Sequence, residues 1–237
     1  AQVQQFRIRP FTEVSVAGPF DVTVTTGSSA AATAEGDPRD LSRIEIRNDG
    51  RELEIRPSRG VRASDLGRIR VRVTAASGIR EVSVAGTAAL TLDRADRTAF
   101  EGNNAGSGRL DVTRADATSV ELSNAGTGGI RIAGQCTRGE FSNAGSGAIE
   151  AGALRCATIN VNNAGSGNIS AYASRNAAVS SVGSGNIAVR GGARCSTSEE
   201  SPSSQHTTRP RFATGAYAAA RVPITTGTCP KRAFTKP

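Results

Sequence analysis

Apolar and polar residues alternate in short runs along most of this chain, and the runs recur at a fixed interval. Leu110 and Val112, Ile130 and Ile132, Ile149 and Ala151, Ile169 and Ala171, and Ile187 and Val189 form one series. Val120 and Leu122, Gly139 and Phe141, and Ile159 and Val161 form a second. Alternation with a period of two marks a strand with one buried face. Between the two series stands one phrase, Asn-Ala-Gly-Ser/Thr-Gly, at 104–108, 124–128, 143–147 and 163–167, with a degenerate copy at 181–185. From Gly106 to Gly126, Gly145, Gly165 and Gly183 the steps are 20, 19, 20 and 18 residues. A period near twenty without helical patterning inside it predicts an all-β fold, a parallel β-helix solenoid. Crossovers between parallel strands favour a right-handed coil.

Parity assigns the positions within a rung. Asn104, Asn124, Asn143 and Asn163 share the parity of the apolar residues, so they point inward at a corner. Stacked asparagines can hydrogen-bond along the solenoid axis. Gly106, Gly126, Gly145 and Gly165 then supply the positive φ of a turn between two sides. Upstream, Val14-Val16, Val22-Val24, Ile44-Ile46, Leu53-Ile55, Ile69-Val73 and Val82-Val84 read as further strands. Asn48-Asp49-Gly50 marks a hairpin turn. About six or seven rungs fit between residues 14 and 191. The predicted organisation is a β-helix over 1–191, its rungs clearest over 81–191, followed by a linker and a basic, cysteine-containing C-terminal cap or tail over 192–237. Within that tail, 212–222 reads as a short helix covering the open end.

Cysteine placement adds a constraint. Cys136 and Cys156 lie one rung apart, each seven residues before an asparagine of the phrase. Neighbouring strands are about 4.8 Å apart, close to the Cα separation of a disulfide. The spacing predicts a Cys136–Cys156 bridge between rungs, with Cys195–Cys229 tying down the tail. Disulfides point to export. The opening Ala-Gln-Val-Gln reads as a mature end left by signal peptidase. No apolar run approaches the ~20 residues of a membrane-spanning helix.

Net charge is +8. The 192–237 segment holds seven basic and two acidic residues, whereas 103–191 is nearly balanced at seven and five. Balanced rungs with few aromatics argue against a nucleic-acid partner.

With these residues in hand, the chain resembles the bacterial head-GIN, or putative auto-transporter adhesin, family. Val14-Ser15-Val16-Ala17-Gly18-Pro19-Phe20-Asp21-Val22 is similar to its opening strand motif. Gly-Ser-Gly-Asn-Ile at 165–169 and 183–187 resembles its rungs. The resemblance covers about residues 6–191 and implies an exported bacterial β-helix with no catalytic residues to carry over.

Candidate chemistry is sparse. Each Gly-Ser/Thr-Gly is followed by a strand rather than a helix, which excludes a phosphate loop. There is no Cys-x-x-Cys, and His206 is the single histidine, so no metal site is expected. Glu101, Glu121 and Glu140 recur three residues before the asparagine, which predicts an outward carboxylate ladder. Like charges at strand spacing repel. Compensation would come from Ca²⁺, or from outward arginines such as Arg131 and Arg138. Asp111, Glu150 and Arg131 could be assembled into a polysaccharide lyase or hydrolase site, but the short rungs leave no long loops to form a cleft. The reading that follows is a non-enzymatic, adhesin-like module at the surface or in the periplasm of a Gram-negative-type bacterium. Its faces would meet an extracellular polysaccharide or an envelope protein. The alternatives are a polysaccharide-active enzyme and an envelope component that self-associates end to end.

Overall fold

The computed structural model describes residues 1–198, so Cys229 and the helix expected at 212–222 lie outside the described residues. The chain runs β1 (Gln2–Phe6), β2 (Glu13–Ala17), β3 (Phe20–Thr26), β4 (Ala31–Gly36), α1 (Pro38–Leu41), β5 (Ile44–Asn48), β6 (Glu52–Pro57), β7 (Ile69–Ala75), β8 (Glu81–Gly86) and β9 (Ala89–Arg94). It continues through β10 (Ala99–Gly106), β11 (Arg109–Gly126), β12 (Gly129–Gly145), β13 (Ala148–Gly165), β14 (Ile169–Val182), β15 (Ile187–Arg190) and β16 (Arg194–Ser198). It is a parallel β-solenoid of about six turns.

The solenoid has two sheets and a looser third side. One sheet, the asparagine face, stacks β6, β2, β8, β10 and then the second halves of β11 to β14, ending at β16. The opposite sheet stacks β7, β3, β9 and then the first halves of β11 to β14, ending at β15. The long strands β11, β12 and β13 each serve both sheets. They bend between them at register shifts after Val112, Arg131 and Ala151. Bulges of this kind turn a strand without ending its hydrogen bonding.

The first eighty residues depart from consecutive stacking. After β2 and β3 the chain leaves through β4, α1 and β5, returns as β6 and β7 on the outer side of the β2–β3 rung, and crosses back to β8. Antiparallel strands β5 and β4, with β1 beyond β4, close this end. An open parallel edge invites association, and the antiparallel caps cover it. Sequence periodicity missed β1 and β4 because neither alternates strongly. Beyond Gly191-Gly192, where the β-helix was expected to stop, β16 still pairs with β14. The two glycines form a bend, and the register resumes with Ala193 buried.

The core is one aliphatic column with four large rings, Phe11, Phe20, Phe100 and Phe141, each at most 2% exposed. Its volume is balanced rung by rung. Phe100 is followed two residues later by Gly102, and Phe141 is preceded by Gly139, while the intervening rung holds Val120 and Leu122. A Cβ on Gly139 would lie 2.7 Å from the Phe141 ring. The ring therefore fills the space the glycine leaves, as dense packing requires. Cys136 and Cys156 stand at paired positions with Cα atoms 4.4 Å apart and form the disulfide between rungs.

Candidate functional site

Strict register turns each rung position into a ladder, and three ladders dominate. The first is internal. Asn104, Asn124, Asn143 and Asn163 are 1–2% exposed. Asn104 Nδ2 donates to Asn124 Oδ1 at 2.8 Å, Asn124 to Asn143 at 2.8 Å, and Asn143 to Asn163 at 2.9 Å. Asn104, Asn124 and Asn163 also donate to the carbonyl four residues on, closing the corner. Asn104 Oδ1 has no partner, because the position below it is Val84. At the adjacent turn, Gly126 has φ +123°. A Cβ there would sit 2.5 Å from the Gly106 carbonyl oxygen. That closeness lets the Gly106 carbonyl accept two amides of the next rung, from Thr127 and Gly128.

The second ladder is external and lies three residues before the asparagines. It is longer than the sequence suggested. Glu52, Glu13, Glu81, Glu101, Glu121 and Glu140 occupy consecutive paired positions, and Asn160 follows. Glu81 lies one regular period of 20 residues before Glu101, whereas Glu13 and Glu52 were hidden because β2 and β6 stack out of chain order. Arg51 donates to Glu13 at 2.6 Å, and Asn103 donates to Glu101 at 2.8 Å. Partial burial, then repulsion from Glu101 and Glu140, pushes the Glu121 carboxyl above its usual range. Glu81 is raised by burial and by Glu101, Glu13 and Glu52, against the pull of Arg51. The arginines expected to compensate do not. Arg131 lies past the turn on the opposite sheet, where it bonds Glu150 at 2.7 Å. Arg138 lies two residues before Glu140 but forms no ion pair among the described residues. Nor does any group of three or more His, Cys, Asp or Glu side chains among the described residues form a metal-holding cluster.

The third ladder crosses the opposite sheet. Asp111, Arg131 and Glu150 are successive paired positions, so the structure does bring them together. They line an open groove of about 650 Å³ with Arg109, Ser170 and Arg190. Arg109 pairs with Asp111 at 2.9 Å and Arg131 with Glu150 at 2.7 Å. The Glu150 carboxylate, then Asp111, holds the Arg131 guanidinium more firmly charged. Both carboxylates are thus ion-paired, and although Asp111 Oδ1 is buried without a hydrogen-bond partner, each acid is engaged by an arginine rather than left free as a general acid.

The near balance of charge along the rungs conceals a sorting by side. Over 103–191 the outer asparagine face carries Glu121, Glu140 and Arg138, and the opposite sheet carries Arg109, Arg131 and Arg190 against Asp111 and Glu150. The third side carries Arg114, Arg155 and Arg175 against Asp116 alone. Sequence counts missed this because the sorting depends on where each bulge falls.

Comparison with known proteins agrees with this architecture. The family described as putative auto-transporter adhesin, head GIN domain, matches residues 10–193. The chain belongs to this family. A putative adhesin of Bacteroides fragilis superposes with a TM-score of 0.77 at 16% identity, covering 84% of this chain and 92% of that one. A putative lipid binding protein of Parabacteroides distasonis gives 0.67 at 21% identity, and a putative adhesin of the same species 0.63 at 19%, each with the same coverage. At these identities the likeness shows the fold. No curated protein matches the chain. The family, the Cys136–Cys156 disulfide and the lack, among the described residues, of a helix long and apolar enough to cross a membrane are consistent with an exported protein. The adhesin family supports a non-enzymatic, surface-binding role.

Proposed function

We propose that this protein is a non-enzymatic binding module at the cell surface or in the periplasm of a Gram-negative-type bacterium, and that its rigid sides engage an extended glycan. The observation that carries this reading is the continuous register of the asparagine face from β8 to β14. Rungs joined by turns of two or three residues give straight rows of polar side chains about 4.8 Å apart, matched to a linear polymer rather than to a small substrate. The pairing of Asp111 and Glu150 with arginines speaks against hydrolysis in the open groove, and its shallow walls would not exclude water.

A glycan array with the full chain, followed by a product assay on every binder, tests this. Saturable binding without new reducing ends or unsaturated products is the expected result. Turnover would replace the reading with a polysaccharide-active enzyme, and absence of all glycan binding would replace it with a protein-partner role.

A further inference from the structure

We infer that the third side of the solenoid is the ligand-bearing one, and that it takes an anionic polysaccharide, one bearing carboxylate, sulfate or phosphate groups along a linear chain. The inference rests on the glycan reading above and deepens it.

Arginines on the other two sides are mostly spoken for. Arg109, Arg131, Arg51, Arg68 and Arg72 each reach a carboxylate within 3.5 Å. On the third side Arg94, Arg97 and Arg175 are exposed and form no ion pair among the described residues. The nearby acids are turned to other work. Asp93 accepts from the Thr26 amide and hydroxyl at 2.8 and 3.0 Å. Asp96 accepts from the Thr98 amide at 2.8 Å and faces Arg80. Asp116 is bonded by Arg114. Arg155 lies over the Tyr172 ring, 5.5 Å from its centroid, which holds the guanidinium in place without neutralising it.

These cations form a row along the axis. Two hollows, of about 200 and 480 Å³, share Arg97 and Asp116 and run together from Arg94 and Arg114 past Gln135 to Arg155. Arg175, in the bend of the next rung just before Asn176, continues the row, and Arg190 stands at the corner beyond, paired in register with Tyr172. Successive rungs are about 4.8 Å apart, close to the advance of one sugar in an extended chain, so a charge on each sugar meets a guanidinium on most rungs. Gln135 is a neutral step between Asp116 and Arg155 in the register, and Tyr172 is another, between Arg155 and Arg190. Two other polyanions fit less well. Single-stranded nucleic acid needs aromatic platforms, and the one ring here is already beneath Arg155. An anionic membrane favours apolar anchors beside the basic patch, but the exposed large hydrophobics, Val3 and Val182, lie off this row.

The test uses the full chain and three immobilised probes: alginate, dextran sulfate and neutral dextran. Binding to the two anionic polymers but not to dextran, lost as NaCl rises, is expected. The variant R97Q/R155Q/R175Q should bind alginate at least about tenfold more weakly, since charge-assisted contacts dominate such sites. R59Q/R62Q/R70Q removes the same charge from the N-terminal region and should leave binding within about twofold. Adding Q135R should strengthen binding. Equal loss in both triple variants would overturn the inference in favour of net charge. Full binding by R97Q/R155Q/R175Q would overturn it in favour of another surface. Binding of neutral dextran alone would overturn it while leaving the glycan reading intact, and binding of no polymer would overturn both.

Discussion

The inner corner and the outer face of one sheet make opposite use of the same register. Inside, Asn104 to Asn163 stack so that each amide donates to the next, and each repeat strengthens its neighbour. Outside, three residues earlier on the same strands, Glu101, Glu121 and Glu140 stack so that each repeat opposes its neighbour. A side chain that is both donor and acceptor gains from in-register stacking, whereas one of a single charge loses by it. The outer ladder survives because water screens it. The inner ladder could not be charged at all, because no water reaches it to offset desolvation.

The largest break in that comparison comes from the inside. Asn124→Leu removes the donor to Asn143 Oδ1 and to the Gly128 carbonyl, and one of two acceptors of Asn104. Unfolding by denaturant should show a loss of about 3 kcal/mol or more, the range for a broken buried network. A loss under 1 kcal/mol would mean that the ladder is ornamental.

Next in size is the covalent tie between the same rungs. Replacing Cys136 and Cys156 together by Ala frees a loop of 20 residues. A loss of about 3 kcal/mol is expected from the regained chain entropy. An unchanged melting temperature in both oxidised and reduced buffer would show that strand pairing alone holds these rungs.

The outer ladder should respond weakly and in the other direction. Glu121→Gln removes two like-charge contacts and should stabilise the fold by a few tenths of a kcal/mol at neutral pH. Its folded carboxyl titrates above the usual value of 4.5, so the folded state binds the proton more readily than the unfolded chain. The penalty is therefore absent below about pH 4.5, grows as pH rises through the folded value, and is complete above it. The advantage of Glu121→Gln should fade as pH falls through that window in paired thermal melts. An advantage that grew on acidification would reverse the sign of the argument.

The smallest effect concerns calcium. Screening of the ladder predicts that Ca²⁺ raises the melting temperature no more than sodium chloride of equal ionic strength. A saturable rise at millimolar Ca²⁺ would instead reveal a bound ion.

The sequence by itself determined the solenoid. A period of twenty can be satisfied only by stacking like on like, so the register, the inward parity of the asparagines and the Cys136–Cys156 bridge followed from spacing alone. Tertiary structure decided what spacing does not encode. The β6–β7 rung packs outside β2–β3, so that β2 lies on β8, which placed Glu13 and Glu52 below Glu81 and extended the ladder. The bulges after Val112, Arg131 and Ala151 decided which side each later residue faces. They sent Arg131 to Glu150 and gathered Arg114, Arg155 and Arg175 on one side. The physical reason is that period-two alternation fixes in against out, while the choice among three outer sides depends on where the strand bends, and a bend leaves no periodic trace.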